Sequence, residues 1–524
     1  MAGELTNPDR GQVQRGSGQQ MDSMKLKQLS IGTWPPLAWV ARWKQGSHEI
    51  EVLHGPMVET ASDWIVEAVW AGDFAKGDFD QTDLVFGTGI RLRGDSVVFV
   101  TAGTVFDRLL YCTQAGTHYV CNSLPALLAV ADLGLRDDYG RYPEDVRSIM
   151  RGLDERVRTI PTTGNPVSSV FFRNLRYDGR TFQEQAKPDT VPDFHSFRQY
   201  YAFLKQSAER LGENARDSGR RHQIHLLSTI SRGYDSPATS VIARCAGCRN
   251  AVTITESSSL WRGSDSGAQI ASILGMSCRQ YPRTTRSYPL EEAFWAAEGR
   301  AGILNWAQFD YPEPLCLFFT GCHGEKMWDR VDHDHPDPFV RRDPSSLGFC
   351  EFRLTRGVFQ CVMPFWGVRH SQELRKITLS EQMRPWYMNR DHDKPIARRI
   401  VEQEGVPRRM FGLLNKNTSL ESRFRWPFSA EAKQSFAEYL AQRNIRAPSP
   451  AMLWLMRRSD KAYSLFHQNV AAKLGLKWRR ELWHKVTAQS LLFQWANHEL
   501  KKRYEHGLAA EDVHSVAHRE AVQA

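Results

Sequence analysis

The chain has 524 residues, 41% hydrophobic and 24% charged, an ordinary balance for a soluble globular protein with two or three domains, each with its own core. No run approaches the roughly 18 apolar residues of a spanning helix, and no signal-peptide core opens the sequence. Nine cysteines, an odd count with one C-x-x-C (Cys245, Cys248), argue for reduced thiols and a cytoplasmic protein rather than a disulfide framework or zinc site. A net charge of +9 permits an anionic substrate or nucleic acid, although nucleotide binding alone accounts for part of it.

Residues 1 to about 25 are rich in Gly, Gln, Ser, Asp and Arg and poor in large apolar side chains, so disorder is expected there. From Gln28 to Gly179 the pattern is short and β-rich. Ser96–Val100 reads as a strand, and Leu109–Cys112 and His118–Cys121 read as a hairpin around Gln114-Ala115-Gly116. A short helix over Ser123–Leu128 tolerates Pro125 in its first turn, and Ser168, Val170 and Phe172 mark a further strand. Two sheets packed face to face would bury this content.

A helical linker, Ser196–Glu213, leads into a second half where strands and helices alternate. Strand Ile224–Leu227 runs through a Ser/Gly turn into a helix carrying Thr239–Ala243. Strand Ala251–Thr255, a helix from Gly267 to Leu274 stopped at Gly275, a helical stretch Phe294–Ala301 and strand Leu315–Phe319 follow. The last is continuously apolar, as a strand covered on both faces must be. This alternation predicts a doubly wound parallel sheet, with ligands at the carboxyl ends of its strands. From Ser429 three helices follow, among them Pro450–Leu474 and Arg480–His506, with Leu/Trp/Phe spacing suited to a packing layer.

The chemistry concentrates after the first of those strands. The run Ser228 to Ser236 places backbone N–H groups and hydroxyls at a helix start, where a phosphate is favoured. Asp235, itself an anion, suits a divalent cation bridging phosphate oxygens; the plainer reading is a Ser/Asp-capped helix with no ligand. Ser231-Arg232-Gly233-Tyr234-Asp235-Ser236 resembles the Ser-Gly-Gly-x-Asp-Ser loop of the ATP pyrophosphatases, with Arg232 where the family has glycine. Thr320-Gly321-Cys322-His323-Gly324-Glu325-Lys326-Met327-Trp328 resembles the Ser-Gly-Glu-Gly-Ala-Asp-Glu-Leu-Phe segment that ends the third strand in asparagine synthetases. The resemblance implies an ATP and pyrophosphate site built from Ser228, Ser231, Arg232, Gly233, Tyr234, Asp235, Ser236, Thr253, Gly321 and Gly324. It also implies Mg²⁺ held by Asp235 and Glu325, the glutamate replacing the family's aspartate on an arm one methylene longer. Met363–Val368 resembles the family's Arg-Pro-Phe-Leu-Asp segment with its ends changed. Asp393–Arg398 resembles its Lys-x-x-x-Arg helix start, which gives Lys394 the role of stabilising charge during adenylation. Val406-Pro407 to Lys416 is similar to its Leu-Pro…Arg-x-Lys run, with Lys416 as a further phosphate contact. A lone lysine is otherwise solvated surface.

The first half is similar, in order and pattern, to the glutaminase domain of the same family, through Phe106–Tyr111 and Asn122–Leu128. That glutaminase uses an N-terminal cysteine as nucleophile. Here the chain begins Met1-Ala2-Gly3 and its first cysteine is Cys112, so a degenerate domain without glutaminase activity is expected.

The expected fold is thus a β-rich α+β sandwich (Ntn-hydrolase-like, degenerate) followed by an α/β doubly wound parallel sheet (adenine nucleotide α-hydrolase-like) and C-terminal helices. The divisions fall at 1–25, 26–195, 196–428 and 429–524, with the last packed on the synthetase-like part. The implied activity is an ATP-dependent ligase that adenylates a small-molecule or peptide carboxylate, releases pyrophosphate and transfers the acyl group to an amine. β-Lactam synthetases and lasso-peptide cyclases share this architecture. The alternatives are a nucleobase- or tRNA-modifying enzyme like the 7-cyano-7-deazaguanine synthases, disfavoured by absent zinc cysteines, and a degenerate nucleotide-binding protein. A homodimer or partner protein stays open, no membrane is expected, and nucleic acid is not favoured. Asp332-His333-Asp334-His335 reads as an exposed loop rather than a metal site. Arg457-Arg458 and Lys477–Arg480 read as solvated faces rather than RNA contacts.

Overall fold

The computed structural model describes residues 24–256, 264–330, 337–341, 344, 346–390, 392–412, 420, 425–466 and 489–523. Within these the protein is a mixed α+β structure, β-rich at its N-terminal end and built on a parallel sheet with helices thereafter. The expected disorder of residues 1–25 falls mostly outside the described residues. Its last positions are ordered, however: Met24 is buried and Lys25–Ser30 is a strand paired in parallel with Glu49–His54.

Seven strands, including Trp39–Lys44, Leu109–Gln114 and Thr117–Cys121, form one N-terminal sheet, and six, including Trp64–Trp70, Val85–Arg93 and Ser96–Val100, form the other. The sheets face each other as their alternating side chains require. Trp39, Ala41 and Val120 of the first share one apolar cluster with Ile65, Ile90 and Phe99 of the second. The expected hairpin is present. Ala115 and Gly116 both take positive φ (48° and 71°), the backbone that a two-residue turn between right-twisted strands needs, and Leu110 lies opposite Cys121. Ser123 caps helix Leu124–Val130 by accepting from Ala126 N–H. One expected strand is shorter: it ends at Val170, because Phe172 turns to φ +60° and puts its ring 4.7 Å from Phe339.

The parallel sheet has five strands, Ile224–Thr229, Asn250–Ile254, Ser277–Tyr281, Leu315–Thr320 and Val358–Val362, in the spatial order third, second, first, fourth, fifth. Leu315, Leu317 and Phe319 join one core and Cys316 and Phe318 the other, so this strand is covered on both faces. Helix Asp235–Cys245 lies on the first face and helix Glu291–Glu298 on the second. Ser277–Tyr281 went unpredicted because it is an edge strand without apolar alternation, which makes Leu315–Thr320 the fourth strand in chain order rather than the third.

No apolar seam separates the two halves: Leu84, Phe86 and Phe106 share a core with Leu204, Phe319 and Trp366. Arg353, from helix Cys350–Arg356, reaches into the N-terminal half. There it donates to both oxygens of Glu67 at 2.7 and 3.0 Å and to Asp107 at 2.7 Å, all three residues being buried. The C-terminal helices are Ala430–Gln442, Pro450–Phe466 and Gln489–Gln523. The last does not pack on the second half alone. Asn497 donates to Ala296 carbonyl at 3.1 Å, but Phe493 stacks on Tyr142 at 5.5 Å and Trp34 donates to the Tyr504 carbonyl at 3.2 Å. Among the described residues no helix is long and apolar enough to cross a membrane.

Candidate functional site

Strand Ile224–Thr229 pairs with Asn250–Ile254 on one side and Leu315–Thr320 on the other, so its carboxyl end lies where the strand order reverses. The chain leaves it through Ile230, whose N–H donates to Val252 carbonyl at 2.9 Å, and turns at Ser231–Tyr234 into helix Asp235–Cys245. Gly233 N–H donates to Ser231 Oγ at 3.1 Å, and the Ser231 and Ser236 hydroxyls are 2.8 Å apart. No side chain caps this helix, and of its first three residues only Asp235 and Ser236 carry an N–H, since the third is Pro237.

The loop after Leu315–Thr320 settles directly on this turn. A Cβ at Gly321 would lie 2.6 Å from Ser236 N, and one at Gly324 would lie 2.2 Å from Asp235 Cγ. Both glycines are therefore required by the close approach of the two loops. That approach sets Glu325 beside Asp235. Lys394, at the start of helix Pro395–Gln403, completes the group: its Nζ is 2.6 Å from Asp235 Oδ2 and 3.9 Å from Glu325 Oε2. Asp393 anchors that turn by accepting the Met388 and Asn389 N–H groups and pairing with Arg330.

Burial pushes the Asp235 carboxyl up to about 6, with Glu325 adding to the rise and Lys394 opposing it. Burial works against the Lys394 ammonium, but the Asp235 and Glu325 carboxylates outweigh it and hold the pKa above the ordinary value. Asp235 Oδ1 is buried and has no hydrogen-bond partner among the described residues. With Glu325 it offers two carboxylates, too few to enclose a cation but suited to Mg²⁺, which keeps water and phosphate in its shell. Among the described residues there is no group of three or more His, Cys, Asp or Glu that would hold a metal unaided.

Several sequence candidates stand back from this cluster. Ser228 is fully buried with its hydroxyl 3.0 Å from that of Ser240. Thr253 is buried and accepts from Gly267 N–H at 3.0 Å. Tyr234 is buried, its hydroxyl accepting from Arg398 at 2.9 Å and its ring 5.0 Å below that guanidinium. Arg232 is exposed and donates through Nε to the Met410 carbonyl at 3.2 Å, which ties the loop to the segment after Pro407. Lys416 and Asp332–His335 lie outside the described residues. Cys248 is buried and donates to the Asn250 carbonyl, in keeping with a packing role.

Three neighbours escaped the sequence reading. Asp329 is buried with His392 Nδ1 at 3.6 Å, and its charge helps raise the Asp235 pKa; its place four residues after Glu325 was the available signal. His323 and Arg341 are joined through the tertiary fold and gave no local signal. Compared with protein-family models and with curated proteins, the sequence matches none.

Proposed function

We propose that the chain is an ATP-dependent, amide-forming ligase of the asparagine synthetase-like class. It activates a carboxylate of a small molecule or peptide as an acyl-adenylate, releases pyrophosphate and passes the acyl group to an amine. On this reading the sandwich is an Ntn-hydrolase-like domain turned from glutaminase use, and the parallel sheet is an adenine nucleotide α-hydrolase-like fold. One observation carries the proposal. Asp235, Glu325 and Lys394 come from three separate stretches of sequence and converge at the carboxyl edge of the sheet, within 3.9 Å of the Lys394 ammonium.

The uncapped start of helix Asp235–Cys245, with the N–H groups of Asp235 and Ser236 and the hydroxyls of Ser231 and Ser236, favours the β and γ phosphates. Mg²⁺ bound by Asp235 and Glu325 would neutralise charge on those phosphates. Lys394 would offer its ammonium where negative charge grows as the carboxylate oxygen bonds to the α-phosphorus and the bond to pyrophosphate breaks. Attack by the amine on the acyl carbon then expels AMP with the bonding electrons. Cys112 and Cys121, the two cysteines of the first half, are both buried. Burial pushes the Cys112 thiol up to about 12 and that of Cys121 well above its ordinary value, which supports an amine drawn from elsewhere than glutamine hydrolysed on this chain.

The test is ATP–pyrophosphate exchange driven by supplied carboxylates, with product analysis. Exchange that disappears in Asp235→Asn supports the reading, and ADP plus phosphate as products sinks it. A second reading, a nucleotide-binding protein without turnover, is favoured by Lys394 being paired with Asp235. It predicts Mg-ATP binding with no pyrophosphate released.

A further inference from the structure

His323 immediately precedes Gly324 and Glu325, and it adopts φ +64° and ψ 17°, a left-handed conformation uncommon for any residue with a side chain, although His, like Asn and Asp, enters it more readily than most. Such a backbone persists where the surroundings over-determine it. Here they do. The His323 ring is buried and stacks on Phe106 at 4.9 Å with 19° between planes. Its Nε2 lies 3.4 Å from Arg341 Nη1, and its Nδ1 lies 3.7 Å from Glu325 Oε1. The Arg341 guanidinium covers the same Phe106 ring at 4.6 Å and donates to the Val105 carbonyl at 3.3 Å, while the Arg341 N–H donates to the Met150 carbonyl at 2.9 Å. Val105, Phe106 and Met150 all belong to the N-terminal half.

We propose that the Val105–Phe106 segment of the sandwich is a positioning element for the metal carboxylate Glu325, acting through the stacked His323 and the Arg341 clamp. The inference rests on the nucleotide reading above and gives the N-terminal half a task in it. Phe106 and His323 act from behind Glu325, through the ring stack and the His323 Nδ1 contact, rather than as ligands themselves. They fix the height at which the loop after the fourth strand carries Glu325 past Asp235. Removal of the aromatic platform lets His323 leave its left-handed conformation and Glu325 move with it. Groups that orient a metal ligand from behind typically alter metal affinity by about 10–100-fold.

The experiment measures ATP binding as a function of Mg²⁺ concentration in the full chain, alongside ATP binding without metal and the melting temperature. Four proteins are compared: the parent, Phe106→Leu, His323→Gly and Asp235→Asn. In Phe106→Leu the Mg²⁺ midpoint is expected to rise about tenfold, with metal-free ATP binding unchanged. His323→Gly suits the left-handed backbone while removing the ring, so it should fold and shift the midpoint in the same direction; it carries the test if Phe106→Leu does not fold. A midpoint equal to the parent's in a folded Phe106→Leu or His323→Gly overturns the inference. Loss of metal-free ATP binding in step with the Mg²⁺ response also overturns it, since that marks a general packing role. If Asp235→Asn shows the parent's Mg²⁺ dependence, the nucleotide reading itself has failed, and the positioning proposal falls with it.

Discussion

Lys394 Nζ lies 2.6 Å from Asp235 Oδ2 although 159 residues separate them in the sequence. The pair joins the start of one helix to the start of another at the carboxyl edge of the sheet, and Glu325 extends it to a third loop. The Lys394 ammonium faces both carboxylates and opposes the rise that burial and Glu325 impose on the Asp235 pKa.

A first prediction follows from the charge on Asp235. Its carboxyl sits near pH 6 in the folded protein against 3.8 ordinarily, so it is protonated below that value and cannot serve a cation. Mg²⁺-dependent ATP binding should strengthen between pH 5 and 7 and level off above about 7. Asp235→Asn should keep the fold, weaken Mg-ATP binding well beyond ~10-fold and abolish this pH response. Titration calorimetry at several pH values reads both effects, and a flat profile in the parent would count against Asp235 as the ligand.

Lys394→Ala separates binding from turnover. ATP should still bind, while pyrophosphate release falls by about 10²–10³, because the cation matters most where charge develops. Loss of the ammonium also removes what opposes the rise of the Asp235 pKa, so the midpoint of the pH response should move upward. Equal losses of binding and turnover would place Lys394 in ground-state binding instead.

The buried Arg353 bridge predicts a large stability effect far from the nucleotide loop. Arg353→Met leaves Glu67 and Asp107 facing each other in the interior without a cation, which should destabilise the chain by about 3–5 kcal/mol. Neutralising both acids in the same background, with Glu67→Gln and Asp107→Asn, should recover most of the loss. Chemical denaturation of the single and triple variants measures the difference.

Lys187 gives a pH-dependent counterpart. It is buried against Asn174, and burial pulls its ammonium down to about 7, with Asp83 and Asp80 opposing the fall and Arg369 adding to it. An unfolded chain binds this proton more tightly than the folded one between pH 7 and 10.5, so the penalty is full below pH 7 and fades as pH rises. Lys187→Met should therefore raise Tm at pH 7 by ~2–4 °C, and its advantage over the parent should shrink by pH 10. An advantage that stays constant with pH would show that packing, not charge, is responsible.

What could be read in the sequence was what short segments decide. Ala115-Gly116 between alternating strands, the Ser123 cap and the unbroken apolar run of Leu315–Thr320 each follow from their immediate neighbours. Strands Lys25–Ser30 and Ser277–Tyr281 escaped notice because, at sheet edges, they expose most of their side chains and lack alternation. In the candidate site, Asp235, Glu325 and Lys394 were found through motif order. Ser228, in the same run as Asp235, and Thr253, on the neighbouring strand, put their hydroxyls into internal hydrogen bonds, a distinction that spacing does not encode. The left-handed His323 and the reach of Arg353 into the other half depend on partners hundreds of positions away.

The contact between Trp34 and Tyr504 spans 470 residues and bears on how the chain is made. During synthesis the sandwich strands emerge before that helix, so the surface around Trp34 and Tyr142 is made long before Tyr504 and Phe493 can cover it. At ~5–20 residues per second that interval is roughly 25–90 s, far longer than a domain needs to collapse. Covering of that apolar surface by helix Gln489–Gln523 is therefore a late, long-range step of folding, separate from the collapse of the sandwich strands.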